Sequence, residues 1–269
     1  MKLSISNIAW PVEHDDIMYV FLNSKDVTGL EIAPTRVFPH APYEKPSEAK
    51  NFADRLKKDY NISISSIQSI WYGITESIFG SDTDRRTLIE YTKKAIDFTT
   101  ALGCSNLVFG CPKNRAVPLN ISPDYYLPIA NDFFGIIGAY AADSSVYISI
   151  EPNPSIYNTN FINTTAQAFE LCNKLDNPGI KVNLDVGTMI HNGESIQIIK
   201  DNINSINHVH ISEPYLAPIK KRQLHRDLIT ELRDLSYNKF ISIEMGSGNN
   251  IELVKNSVSY IKELCYDLQ

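Results

Sequence analysis

Short apolar segments alternate along the chain with longer segments whose apolar residues recur every three or four positions. The short segments are rich in β-branched and aromatic residues, which favour a buried pleated sheet. We predict eight strands from them, at residues 2–8, 29–33, 63–68, 105–110, 146–151, 180–185, 206–211 and 240–244.

The segments between these strands are predicted to form about eight helices, clearest at residues 47–60, 82–103 and 249–268. In the second of these, the apolar residues that fall on one helical face are Leu88, Tyr91, Ala95, Phe98 and Leu102. Asp82 is the expected N-cap of this helix, and Gly103 is expected to end it.

Regular β-α alternation predicts a parallel sheet. Eight units in a chain of 269 residues fit a (β/α)8 TIM barrel, which typically takes about 250 residues. The alternative, a doubly wound open sheet, would normally carry a glycine-rich phosphate turn, and the chain has neither GxGxxG nor a P-loop. Since no low-complexity stretch or Gly/Ser linker divides the chain, we expect an α/β protein with a single domain over residues 1–269.

Composition and charge narrow the function classes. Hydrophobic residues make up 43% of the chain, and the net charge of −6 disfavours a nucleic-acid partner, which would require clustered Lys and Arg. No apolar run approaches the roughly 20 residues that span a bilayer, and the N-terminus has no secretory h-region. We therefore expect a cytoplasmic protein with no membrane partner. The four cysteines form no CxxC pair and are expected to be reduced.

Candidate chemistry lies at the strand ends, because function in such a barrel sits at the C-terminal ends of the strands. The polar residues at these ends are Glu31, Gln68, Glu151, Asp185, His208, His210 and Glu244. Those from the fifth to the eighth strand follow one another around the barrel, so their side chains can converge on one point.

A divalent cation explains such a set of residues. Three neighbouring carboxylates would repel one another and raise their pKa values, and a cation removes that penalty. Oxygen and imidazole ligands suit Mn, Mg, Co or Zn without choosing among them. Taken singly, Glu151 and Glu244 could be solvated strand ends, Asp185 a helix N-cap, and the two histidines core residues. Their occurrence on four consecutive strands favours a metal site.

At these positions the chain resembles the xylose isomerase-like TIM barrel family, the superfamily of AP endonuclease family 2. The family includes sugar phosphate isomerases and epimerases, ketose 3-epimerases, inosose dehydratase and endonuclease IV. The resemblance covers essentially the whole chain, through "SISNIAW", "GLEIAPT", "LGCSNLVFG", "IEPNP", "NLDVGTM", "HVHISE" and "IEMG". It implies one divalent metal ion held by Glu151, Asp185, His210 and Glu244, with His208 as a neighbour of the site.

The resemblance also implies a mechanism. The metal polarises the oxygens of a sugar and stabilises an enediolate, while a carboxylate abstracts a proton from the carbon next to the carbonyl. Glu151 and Glu244 match the catalytic pair, with their individual roles open.

Three positions depart from the ketose 3-epimerases and make a free-ketose 3-epimerase doubtful. This chain has Thr188, Leu216 and Tyr157 where those enzymes carry His, Arg and a second Glu, and its nearest histidine to the first position is His191. The residues expected to contact substrate are Glu31, Gln68, Trp71, Lys113, Asn114, Arg115, His191 and His208. Core packing is the alternative for Trp71, and a solvated loop is the alternative for residues 113–115.

The functional prediction is therefore a metal-dependent isomerase or epimerase of a small sugar or sugar phosphate. A dehydratase of the inosose type is the alternative, because removal of a hydroxyl begins with the same proton abstraction. An endonuclease IV-like enzyme, which would need more histidines at strand ends, and a non-catalytic sugar-binding barrel are disfavoured. The resemblance allows a homodimer or homotetramer.

Overall fold

The computed structural model describes residues 1–248 and 250–266. Eight parallel strands close into a barrel in chain order, and β8 pairs with β1. The strands are β1 (Lys2–Ser6), β2 (Gly29–Ile32), β3 (Ser63–Ile67), β4 (Asn106–Phe109), β5 (Tyr147–Ile150), β6 (Ile180–Asp185), β7 (Ile206–Ile211) and β8 (Phe240–Ile243). The helices are α1 (Asp15–Ser24), α2 (Pro34–Val37), α3 (Pro46–Tyr60), α4 (Asp82–Ala101), α5 (Pro123–Asp143), α6 (Thr165–Leu175), α7 (Val186–Asn192), α8 (Gln223–Asp234) and α9 (Ile251–Tyr266). The prediction of a (β/α)8 barrel is confirmed.

Helix α4 corrects one predicted boundary. Its N-cap is Ser81, whose side chain accepts a hydrogen bond from the backbone N–H of Asp84, and the Asp84 carboxylate accepts one from the backbone N–H of Ser81. This reciprocal capping box leaves Asp82, the predicted cap, as the first helical residue. At the other end, Gly103 adopts a φ of +67° just after the helix, as expected for a helix stop. The predicted helix at 249–268 is α9, and residues 249, 267 and 268 lie outside the described part of the chain.

The strands are buried on both faces because helices cover the outside of the barrel and side chains fill the inside. The inside is polar. Ser4 and Ser65 share a hydrogen bond of 2.6 Å across the barrel, and Asn106 accepts bonds of 2.6 Å from Ser149 and 2.5 Å from Asn207. A network of this kind is stable because its buried polar groups are paired. This network lies inside the barrel, below the side chains at the C-terminal ends of the strands.

Strand register places the C-terminal ends at one level. Asp185 on β6 pairs with His210 on β7, which in turn pairs with Ser242 on β8. Among the described residues, no helix combines the length and apolar character that crossing a bilayer requires.

Candidate active site

Four consecutive strands deliver one side chain each to the same point. Glu151 directly follows β5, Asp185 ends β6, His210 lies in β7 and Glu244 directly follows β8. One ligand atom from each of the four lies within 4.8 Å of the others, and all four residues are buried. The structure thus brings together the four residues that the sequence nominates as a metal cage.

The geometry around His210 fits a cation. Its Nδ1 lies 2.8 Å from Glu151 Oε1 and 3.3 Å from Glu244 Oε2, yet this buried nitrogen makes no hydrogen bond of acceptable angle. A nitrogen directed at converging carboxylate oxygens is the arrangement that a divalent cation completes. Three carboxylates and one imidazole form a harder donor set than the thiolate-rich sites of structural zinc.

The electrostatics of the four groups show the cost of assembling them without a cation. Burial alone would lower the pKa of His210, but the carboxylates of Glu31 and Glu244 outweigh burial and raise that pKa well above its usual range. Burial raises the pKa of Glu244 to about 7, and burial together with the charge of Glu151 raises the pKa of Asp185. Burial would also raise the pKa of Glu151, but His210 outweighs it and the pKa is lowered. Without a cation, protons bound to these groups therefore offset the negative charge of the three carboxylates.

Asp185 has two roles. As the N-cap of α7, its Oδ1 accepts bonds of 2.6 Å from the Thr188 backbone N–H and 2.7 Å from the Thr188 hydroxyl. Ser212 donates a bond of 2.5 Å to its Oδ2. The N-cap interpretation and the convergence on the cage therefore both hold, because helix capping fixes the carboxylate while leaving it beside the other three residues.

Hydrogen bonds from two side-chain amides fix the carboxylate of Glu151. Asn183 donates a bond of 2.8 Å to its Oε1, and Asn153 donates one of 2.9 Å to its Oε2. Arg115, predicted to contact substrate from a loop, is instead fully buried, and its Nη2 donates 2.8 Å bonds to the Glu151 carbonyl and to Asn153 Oδ1. Arg115 thus braces the backbone that carries Glu151.

A cavity of about 140 Å³ is lined by three of the four residues, Glu151, Asp185 and Glu244. Gln68 lines it, as predicted for a substrate contact, and donates its amide N–H to the Ser6 hydroxyl. Tyr157 and Leu216 line the same cavity, and the Tyr157 hydroxyl accepts a 2.8 Å bond from the Tyr215 backbone N–H. Burial raises the pKa of Tyr157 to about 12, so its hydroxyl remains a neutral donor.

Several other predicted contacts lie away from this cavity. The ring of Trp71 packs edge-on against Phe109 at 4.8 Å, and its indole N–H donates a 3.0 Å bond to Thr92, so Trp71 is a core residue. This is the alternative that the sequence left open. His191 is exposed on the short helix α7.

Two further predicted contacts belong to the loop after β4. Lys113 is exposed. The Asn114 side chain donates bonds of 3.0 Å and 2.9 Å to the carbonyls of Ile74 and Glu76, which ties two loops together. Asn114 therefore has a structural role, because its amide N–H groups are already bonded to these carbonyls and are not free to bind a sugar.

Glu31 and His208 lie deeper in the barrel. Both are buried, at 0% and 1% exposure, and His208 Nε2 lies 3.3 Å from Glu31 Oε1. Glu31 also contacts His210, at 3.0 Å from Nε2. These positions place both residues beneath the metal cage rather than at the cavity surface.

Sequence reasoning missed Asn153 and Ser212, which bond Glu151 and Asp185, and also Asn183 and Glu213. Asn183 precedes Asp185 by two positions, so strand alternation already places the two side chains on one face. Glu213, two residues past β7, lines the cavity and is ion-paired with Arg222 at 2.6 Å. The position of Glu213 just beyond the end of β7 is the sequence feature from which it could have been predicted.

Comparisons with known proteins agree with this fold. Residues 22–264 match the family model described as the xylose isomerase-like TIM barrel. The fold is similar to 3-keto-D-glucoside 4-epimerase from E. coli, with a TM-score of 0.78 and 17% identity over 97% of this chain and 99% of that one. It is also similar to D-psicose 3-epimerase from Clostridium cellulolyticum H10, solved with D-tagatose, with a TM-score of 0.78 and 13% identity over 98% of both chains.

A third similar structure is a probable 3-DHS dehydratase from Bacillus anthracis, with a TM-score of 0.73 and 19% identity over 97% of this chain and 98% of that one. No curated protein sequence shows significant similarity to the chain.

Proposed function

Because the chain belongs to the xylose isomerase-like TIM barrel family, we propose that it is a divalent-metal-dependent isomerase or epimerase of a small sugar or sugar derivative. The observation that carries this proposal is the convergence of Glu151, Asp185, His210 and Glu244, whose ligand atoms lie within 4.8 Å of one another. These four residues would hold the ion, and their donor chemistry suits Mn, Mg, Co or Zn.

The chain's own residues are suited to moving a proton. When bound, the ion supplies Lewis-acid polarisation of the substrate oxygens. Glu151 is assigned as the base, because its lowered pKa keeps the carboxylate ionised and two amides hold both of its oxygens in place. Glu244 faces the same point and can take up and return a proton as the second carboxyl of the pair.

In this proposal Glu151 takes the proton from the carbon next to the carbonyl. Glu244, after taking up a proton from the solvent, returns it to the opposite face of that carbon in an epimerisation, or to the neighbouring carbon in an isomerisation, and Glu151 then releases its own proton to the solvent. The Tyr157 hydroxyl and the Gln68 side chain contact the sugar from the cavity wall.

The structural neighbours support this reaction class. Two of them are named as epimerases of a keto-sugar or ketose. The probable dehydratase among them supports the alternative, in which loss of a β-hydroxyl follows the same proton abstraction. The substrate contacts expected at Trp71, Lys113, Asn114 and His191 are not part of this proposal, since their side chains lie in the core, in loop anchors or at the surface.

Isotope exchange tests the proposal. Metal-loaded protein is incubated in heavy water with free and phosphorylated ketoses and aldoses and with 3-keto-glycosides, and deuterium at the carbon next to the carbonyl is measured by NMR. We expect exchange into one substrate class, lowered about 10²-fold or more in Glu151→Gln and in Glu244→Gln.

Glu252→Gln is the control, because Glu252 is exposed and paired with Lys255 on α9. A substrate that exchanges and then loses water would assign the dehydratase activity. Wild-type protein that takes up metal but exchanges no proton in any substrate would overturn the proposed function.

A further inference from the structure

The carboxylate of Glu31 is enclosed by protein groups. Ser242 donates a hydrogen bond of 2.9 Å to its Oε2, and the Nε2 atoms of His208 and His210 lie 3.3 and 3.0 Å from its oxygens. The residue has 0% exposure. With both oxygens facing protein groups, it has no free edge for the sugar hydroxyl that the sequence led us to expect there.

The two nitrogens of His210 face opposite partners. Nδ1 points to the carboxylates of Glu151 and Glu244, at 2.8 and 3.3 Å, whereas Nε2 points to Glu31. A neutral imidazole carries one proton, and only the bare nitrogen can coordinate a metal. Carboxylates face both nitrogens, but a cation held by Glu151 and Glu244 would exclude the proton from Nδ1, and the carboxylate of Glu31 then keeps the remaining proton on Nε2.

We propose that Glu31 is a positioning residue: it holds the Nε2–H of His210, so that Nδ1 presents its lone pair to the metal cage. This inference rests on the proposed function, because it concerns how one of the four ligands is prepared for the ion. It differs from a general packing role, since it specifies which nitrogen of His210 carries the proton.

His208 and Ser242 complete the arrangement. The rings of His208 and His210 lie 5.3 Å apart at 82°, so the two imidazoles approach Glu31 from different directions. Three contacts from two neighbouring strands, β7 and β8, fix the plane of a carboxylate supplied by β2, which only β1 separates from β8. Glu31 therefore ties His210 to a strand that is not its neighbour in the sheet.

The same three residues, Glu31, His208 and His210, are also close enough to hold a second ion. In that arrangement His210 would give Nε2 to one ion and Nδ1 to another, which requires the ring to lose both protons. Full burial of the three side chains and the Ser242 bond to Glu31 favour the hydrogen-bonded arrangement instead.

The test compares Glu31→Gln with wild type in two measurements. The first is Mn affinity by calorimetry, and we expect it to fall about 10- to 100-fold, as for other partners of metal-bound histidines. The second is nitrogen NMR of the Zn-loaded protein. In wild type the His210 Nε2–H is expected to be present and slow to exchange, with the metal at Nδ1, and in the variant the same proton exchanges faster.

Ser65→Ala is the matched control, because its hydroxyl bonds Ser4 inside the barrel and does not contact Glu31. It should leave both measurements unchanged. Unaltered affinity and exchange in Glu31→Gln would overturn the inference, as would two ions per wild-type chain with one lost in that variant. If wild type binds no metal, the proposed function fails, yet slow exchange of the His210 Nε2–H in the metal-free protein still tests the Glu31 contact.

Discussion

Replacement of Glu244 by glutamine should stabilise the metal-free protein. Burial raises the pKa of this carboxyl from 4.5 to about 7. Keeping it ionised above pH 7 therefore costs the folded protein about 3 kcal/mol relative to the unfolded chain. Glutamine has nearly the same shape and carries no charge, so Glu244→Gln removes this cost while filling the same space.

The sign depends on pH. At pH 8 the carboxyl is ionised in both the folded and the unfolded chain, so the whole penalty applies and the variant should gain about 3 kcal/mol. As pH falls below 7 the folded protein takes up the proton first, and at pH 5 the gain should be about 1 kcal/mol or less. In a chain of this size the gain at pH 8 corresponds to a rise in Tm of roughly 6 to 12 °C.

The assay is urea unfolding with a chelator present, at pH 8 and at pH 5, for wild type and Glu244→Gln. Glu252→Gln on the exposed face of α9 serves as the control and should change stability by less than about 0.5 kcal/mol. A variant that is less stable than wild type at pH 8, or one whose gain is the same at both pH values, would refute the reasoning.

Three further predictions follow from the same geometry. Metal binding should release protons from His210 and Glu244, so the affinity for the metal should rise with pH. The heat of metal binding measured by calorimetry at pH 6 should then depend on the ionisation enthalpy of the buffer, and identical heats in all buffers would contradict this. Burial lowers the pKa of His225 to about 4, so as the pH falls the unfolded chain takes up this proton before the folded protein does. The free energy of unfolding should therefore fall by about 3 kcal/mol between pH 6.5 and 4. His225→Gln should flatten this dependence on pH, and an unchanged dependence in the variant would count against the account. Thr188→Val should cost about 1 kcal/mol of stability in urea unfolding, because the one hydroxyl proton that the Pro152 carbonyl and Asp185 Oδ1 share is lost, and Thr188→Ser should recover most of it. Equal stability of the two variants would exclude the role of the hydroxyl.

The fold and the convergence of the four candidate ligands could be predicted because both follow from local patterns. Each of the strands β5 to β8 has a polar residue that could bind metal in its last two positions or directly after it. Barrel closure in chain order then brings consecutive strand ends together. The sequence also placed the strand boundaries within two residues, because apolar runs and turn residues mark them.

The residues around the cage could not be assigned in the same way. Arg115 lies in a polar loop segment that reads as solvated, yet the loop folds inward and its side chain is fully buried. Glu31 lies near a strand end like the other candidates, but its contacts come from β7 and β8, which do not pair with β2, and they depend on how deep each side chain lies in the barrel. Such contacts join residues that are far apart in the sequence and depend on how the strands are aligned in the barrel, which local sequence patterns do not specify.

The central claim is that four side chains form one metal centre, and anomalous diffraction from Mn-soaked crystals tests it most directly. We predict one peak per chain, within bonding distance of Glu151, Asp185, Glu244 and the Nδ1 of His210. A peak bound only by Glu31 and His208, or no peak at the strand ends while Mn binds elsewhere, would contradict the account.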